Sequence, residues 1–143
     1  MMKKLSKIMS EIEASKDTDE QIARLRMADS RSLRDVLTYM LHPHVEWKLP
    51  DTDPPYKPLH EASDAEGRLY AETKMFQYFT NTAEGLKVKQ IERERLFISL
   101  LESLDPEDAA FMLKLRFKTK HIGISREVVD MALPDLTKGW PSA

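Results

Sequence analysis

The residues whose types and spacing best suit a chemical task lie in one turn, Lys118-Thr119-Lys120-His121-Ile122-Gly123-Ile124-Ser125-Arg126. A glycine turn entering a serine-capped helix exposes backbone N–H groups at the positive end of a helix dipole, which favours an anion. Lys118, Lys120 and Arg126 add charge where a phosphate would sit. Between Ala109 and Arg126 there are five Lys or Arg residues and no Asp or Glu, in a chain whose formal net charge is −2. The chemistry expected of such a stretch is contact with a phosphate backbone, which positions a nucleic acid without reading its bases. The candidate contact residues are Lys114, Arg116, Lys118, Lys120, His121, Gly123, Ser125 and Arg126.

Other constellations have simpler explanations. His42-Pro43-His44 brings two imidazoles together near Asp51, Asp53 and His60, but a metal needs three or four converging ligands and this spacing is not a ligand pattern. Glu102, Asp105, Glu107 and Asp108 resemble an acid cluster. For the last three, the start of a helix suffices: Asp105 at the N-cap, Pro106 at the first helical position, then two acids favoured by the dipole. There is no cysteine, hence no disulfide, thiolate metal site or thiol nucleophile. A glycine-rich phosphate loop and a nucleophile elbow are absent from the sequence as well. The expectation is a non-enzymatic protein without cofactor or metal.

The elements that must position the basic turn are helical. With 143 residues and four glycines, the chain suits one all-α domain of six or seven short helices over residues 1–136, followed by a flexible tail, 137–143. Leu5, Ile8, Met9 and Ile12 fall at i, i+3, i+4, i+7, as do Phe97, Leu100, Leu101 and Leu104. Thr18 with Gln21 reads as a capping box, and Asp29 or Ser30 caps a third helix carrying Leu33, Val36, Leu37, Met40 and Leu41. His42-Pro43 ends that helix, because the residue before proline is driven out of the α region. Helices resume after Ser63 or Asp64 and break near Asn81 to Gly85. From Leu113 to Lys120 apolar and basic residues alternate with a strand period. Helix is preferred there because a cap precedes it and no second strand exists to pair with it.

Five of the eight prolines lie in residues 43–60, PHVEWKLPDTDPPYKPLH, which cannot form a helix or a central strand. Trp47 and Tyr56 anchor this loop. An exposed extended Pro54-Pro55-Tyr56 segment suits docking on a protein partner, because it loses little entropy on binding. That is the rival reading: an interaction adaptor rather than a DNA binder. Charge supports a surface at the C-terminal end. Residues 109–143 carry six basic and three acidic side chains, a net of +3, against six and eleven in residues 61–108, a net of −5. No stretch is apolar enough for a signal peptide or a membrane span, so a cytoplasmic protein is expected.

Two resemblances extend these expectations. The stretch LKLRFKTKHIGISREVVDMALPDL, within residues 104–136, resembles the closing element of the helical DNA-binding domain of ATP-dependent DNA ligases. There a glycine–serine turn precedes a final helix ending in an apolar residue and Pro-x-Leu. The resemblance implies an all-α fold that grips duplex DNA by its backbone and minor groove. The ligases' Lys-x-Asp-Gly nucleotidyl-transfer motif is missing, so no ligase activity is implied. Over most of its length the chain is similar to small uncharacterised proteins of large tailed bacteriophages. The motifs are Leu49-Pro50-Asp51-Thr52-Asp53-Pro54-Pro55-Tyr56-Lys57-Pro58, EGRLYxE at Glu66 to Glu72, and RExLFIxLLExLDPxDA from Arg93 to Ala109. This similarity implies expression in an infected host cell and adds no activity. With three ionic contacts (Lys118, Lys120, Arg126), a duplex-binding log–log salt slope of roughly −2.7 is expected.

Overall fold

A computed structural model describes residues 4–59 and 67–142, and its architecture is all-α. The described residues form nine α-helices: α1 (Leu5–Glu13), α2 (Thr18–Met27), α3 (Arg31–Leu41), α4 (Arg68–Glu72), α5 (Ala83–Leu86), α6 (Gln90–Ser103), α7 (Pro106–Leu115), α8 (Arg126–Ala132) and α9 (Pro134–Thr137). Two 3₁₀ segments, Thr73–Phe79 and Lys118–His121, follow α4 and α7. The count exceeds the expected six or seven because α5 and α9 are single turns of four residues each. The expected restart at Ser63 or Asp64, and His60, lie outside the described residues.

The helical spacing of the apolar residues is realised in packing. Leu5, Ile8, Met9 and Ile12 are the buried side of α1, and Leu33, Val36, Leu37, Met40 and Leu41 that of α3. Ser30 caps α3 through the Leu33 N–H, and Asp105 caps α7 through the N–H groups of Glu107 and Asp108. α2 is capped one residue earlier than Thr18: the Asp17 carboxylate accepts the Glu20 N–H at 2.8 Å. A carboxylate there also complements the helix dipole, which a hydroxyl does not. Gln21 instead reaches across to the carbonyls of Ile12 and Gly123. The alternating stretch after Leu113 is helical to Leu115 and then turns.

Trp47 anchors the proline-rich loop, as its size suggested. Its indole N–H donates to the Tyr39 carbonyl at 2.9 Å, and its ring packs against Tyr39, Phe76 and Phe79. One isolated antiparallel bridge pairs Trp47 with Thr80. The two ends of the chain meet where α2 packs on α8, and the Arg26 guanidinium donates to the carbonyls of Met131 and Ala132. The basic turn is thus carried between α7 and α8, against the C-terminal end of α3.

Candidate nucleic-acid interface

The basic turn is held by a backbone conformation that side chains rarely adopt. Lys118 has φ +59°, the sole positive φ at a non-glycine position among the described residues. This conformation carries its ammonium to the end of α3, where it donates to the carbonyls of His42 at 2.6 Å and Val45 at 3.0 Å. The His42 carbonyl, at the C-cap of α3, also accepts the Val45 N–H, and a cation there faces the negative end of the helix dipole. Burial of the Lys118 ammonium lowers its pKa, an effect that Glu46 opposes.

Arg126 opens α8 and donates to the carbonyls of Trp140 and Pro141, with Asp130 at 3.6 Å. Its guanidinium lies 5.5 Å from the centre of the Trp140 ring, and that ring is 5.1 Å from His42. His44 is 5.7 Å from His42. Burial lowers the pKa of His42, and His44, Lys118 and Arg126 lower it further. An imidazole disfavoured as a cation by its neighbours marks a locally positive field. The segment expected to be a flexible tail contributes to this cluster, because Trp140 and Pro141 are where Arg126 finds its acceptors.

A second aromatic gathers the rest of the turn. Phe117 has the Arg116 guanidinium 4.5 Å and the Lys120 ammonium 5.9 Å from its ring centre, with His121 at 5.6 Å. Lys120, His121 and Lys114 are exposed. Arg116 is not: its side chain is 2 % exposed, and it pairs with Asp53 at 2.7 Å and donates to the Asp51 carbonyl. Its charge serves the proline-rich loop, so it drops out of the contact set.

The glycine–serine turn has partners of its own. The Gly123 N–H donates to the Glu13 carboxylate from the end of α1, and Ser125 caps α8 through the Val128 N–H. A carboxylate therefore occupies the place proposed from sequence for a phosphate. Lys114, Lys120 and His121 present themselves to solvent, Lys118 and Arg126 contribute charge while spending donors internally, and Gly123 and Ser125 serve the fold. Sequence reasoning missed His42, His44 and Trp140 as members of the cluster. The paired histidines were visible, but nothing in their spacing connects them with Lys118 or with a tryptophan almost a hundred residues later.

The expected partner-docking residues divide similarly. Pro54 and Pro55 line a cavity beside α6, whereas Tyr56 packs partly buried against the core. The Lys57 N–H donates to Glu102 at 2.8 Å, which pins the loop along α6. Among the described residues no group of three or more His, Cys, Asp or Glu side chains is placed to hold a metal, and no helix is long and apolar enough to cross a membrane.

Fold and surface together define a small all-α protein in which Arg116 and Lys120 lie beside Phe117 and Arg126 beside Trp140. The chain belongs to DUF6433, a family of unknown function, whose model matches residues 8–122, from within α1 to the middle of the basic turn. No curated protein and no solved structure matches it.

Proposed function

We propose that this chain is a non-enzymatic phage protein, made in the cytoplasm of an infected cell, that binds duplex DNA weakly and without reading sequence. The observation that carries the reading is the set of partners chosen by the cations. Lys118 and Arg126 donate to neutral carbonyls, with one carboxylate, Asp130, 3.6 Å from Arg126, so their partners use up N–H groups while cancelling only part of the charge. Lys114 and Lys120 are exposed beside them in sequence. The resemblance to the ligase DNA-binding element over residues 104–136 points to the same surface and to the same backbone-directed mode.

Direct phosphate contact falls to Lys114 and Lys120, with Lys118 and Arg126 acting through their field. Two ionic contacts give a log–log salt slope of roughly −1.8, and affinity no better than ~10⁻⁴–10⁻⁶ M at physiological salt. Fluorescence anisotropy with labelled duplexes of unrelated sequence tests this. Equal affinities are expected, with a slope that falls towards zero in a Lys114→Gln, Lys120→Gln double variant of unchanged helix content. Absence of binding at low salt, or a double variant that binds like the parent, overturns the reading. A parental slope near −3.6, four contacts at roughly −0.9 each, would mean that Lys118 and Arg126 both leave their carbonyls to meet DNA.

A further inference from the structure

Arg116 carries two polar atoms that the fold leaves unanswered. Its Nη2 serves Asp51 and Asp53, but Nε and Nη1 are buried without a hydrogen-bond partner. A buried guanidinium N–H without an acceptor is costly, more so than for a neutral donor. Arg116 lines a cavity of about 160 Å³ between the proline-rich loop and α6, with Leu49, Pro54, Pro55, Phe97 and Ile98 forming apolar wall. Asp53 and Glu94 also line it.

The charges decide what such a cavity accepts. One guanidinium and two carboxylates sum to −1, so an anionic ligand would add a third negative charge beside Asp53 and Glu94. The acceptor that suits Arg116 is neutral, and a peptide carbonyl is the common one. The volume is similar to the roughly 150 Å³ cavity that holds a benzene ring, which fits one Leu or Phe side chain. The carboxylates favour a cation next to that side chain. Pro54 and Pro55 have no N–H, so the loop cannot build a strand ladder with a partner there. Insertion of an anchor side chain is the mode left.

We propose that this cavity docks an extended peptide segment of a protein partner, with one Leu or Phe in the cavity, its neighbouring carbonyl on Arg116 Nε and Nη1, and an adjacent Lys or Arg facing Asp53 and Glu94. The site lies apart from the cationic surface and does not rest on the DNA reading. Its two sides are already linked, by the Arg116–Asp53 pair and by the Lys57 N–H on Glu102, and a carbonyl reaches the buried Nε and Nη1 by displacing the wall that covers them.

The test uses the full chain and three terminally blocked tripeptides, Lys-Leu-Lys, Lys-Ser-Lys and Glu-Leu-Glu, titrated to millimolar concentration by NMR. Lys-Leu-Lys should shift the Arg116 Nε–H resonance saturably, and the other two should bind at least tenfold more weakly. An Ile98→Trp variant, filling the cavity from its partly exposed wall, should lose the Lys-Leu-Lys response and keep duplex binding unchanged. An Arg116→Lys variant should weaken Lys-Leu-Lys at least tenfold while its helix content is retained. No response to any peptide means that Arg116 Nε and Nη1 stay buried without an acceptor, and the proposal fails. Stronger binding of Glu-Leu-Glu overturns it in favour of a carboxylate site, and an Ile98→Trp variant that still responds places the peptide elsewhere.

Discussion

At the residue scale, Lys118 shows how one side chain can justify an unfavourable backbone. A left-handed conformation costs a residue with a Cβ roughly 1–2 kcal/mol, and two charge-assisted hydrogen bonds to the end of α3 offset it. Lys118→Ala keeps the strain and loses both bonds, so it should cost about 2–3 kcal/mol in urea denaturation. Lys118→Gly loses the bonds and the strain together, and should be less destabilised by about 1 kcal/mol. A glycine variant less stable than the alanine variant would mean that the conformation is not strained.

Asp108 makes the opposite bargain. It is buried, and burial raises its pKa, with Asp105 raising it further against the Ser6 N–H that lowers it. A carboxyl whose folded pKa is raised binds protons more tightly in the folded state than in the unfolded one. Its contribution is therefore fully present below the unfolded value near 3.8 and is lost as pH rises through the folded value. Asp29 and Asp135 run the other way, because their hydrogen bonds to Arg34 lower their pKa. Their contribution is present above the unfolded value and is lost as pH falls through the folded one. Stability should therefore peak in mildly acidic solution. Asp108→Asn, which retains an oxygen for the Ser6 N–H, should be at least as stable as the parent at pH 7 and should flatten the decline above the peak. Thermal melts across pH check both, and a variant that declines as the parent does would exclude Asp108 as the cause.

At the scale of elements, α5 is a single turn that does not stand by its own hydrogen bonds. Thr82 caps it through the Gly85 N–H, and Arg93 of α6 donates to the carbonyls of Gly85 at 2.6 Å, Val88 at 3.1 Å and Tyr78 at 3.1 Å. Arg93 is buried, and Gln90 holds it from the preceding turn of α6. A Cβ on Gly85 would lie 2.0 Å from the Thr80 carbonyl oxygen and 2.4 Å from that of Gln77, both backbone atoms that cannot step aside. Gly85→Ala should cost about 3 kcal/mol or more by chemical denaturation, at the upper end for overpacking. Arg93→Met removes the guanidinium from three carbonyls, of which that of Gly85 keeps the Val88 N–H, and should cost a similar amount. A Gly85→Ala variant of parental stability would show that α5 shifts as a unit. The sequence marked a helix break at Asn81 to Gly85, but the reason for glycine there is contact with the backbone of Gln77 and Thr80, at the end of the 3₁₀ segment Thr73–Phe79, and no local pattern records that.

At the scale of the whole molecule, charged side chains tie the first three helices to the last three. Arg26 holds the end of α8, Arg34 pairs with Asp29 at 2.7 Å and Asp135 at 2.8 Å, and Lys4 bonds Glu107 at the start of α7. Glu13 joins them by accepting the Gly123 N–H. Its carboxylate lies against the turn proposed to meet DNA, where it would compete with phosphate for the same field. Glu13→Gln keeps an acceptor and removes the charge. It should tighten duplex binding severalfold at low salt and leave the salt slope unchanged, since no phosphate contact is added. Anisotropy decides the matter, and equal affinity of variant and parent would show that Glu13 serves the fold alone.

What the sequence determined by itself is what short-range physics controls. Apolar residues three and four apart place α1, α3 and α6, Ser30, Asp105 and Ser125 cap their helices, and His42-Pro43 ends α3, because each signal acts within about one helical turn. Proline density likewise marked 43–60 as loop. Tertiary structure alone decided the use of the cations. Whether Arg116 points to solvent or to Asp53, or Lys118 meets phosphate or the end of α3, depends on what the fold brings beside it from 63 to 76 residues away. A charge in a sequence is free to pair with any opposite charge or carbonyl, and only packing limits the choice. For the same reason His42 and Trp140 became neighbours unannounced, since ring contacts have no sequence period.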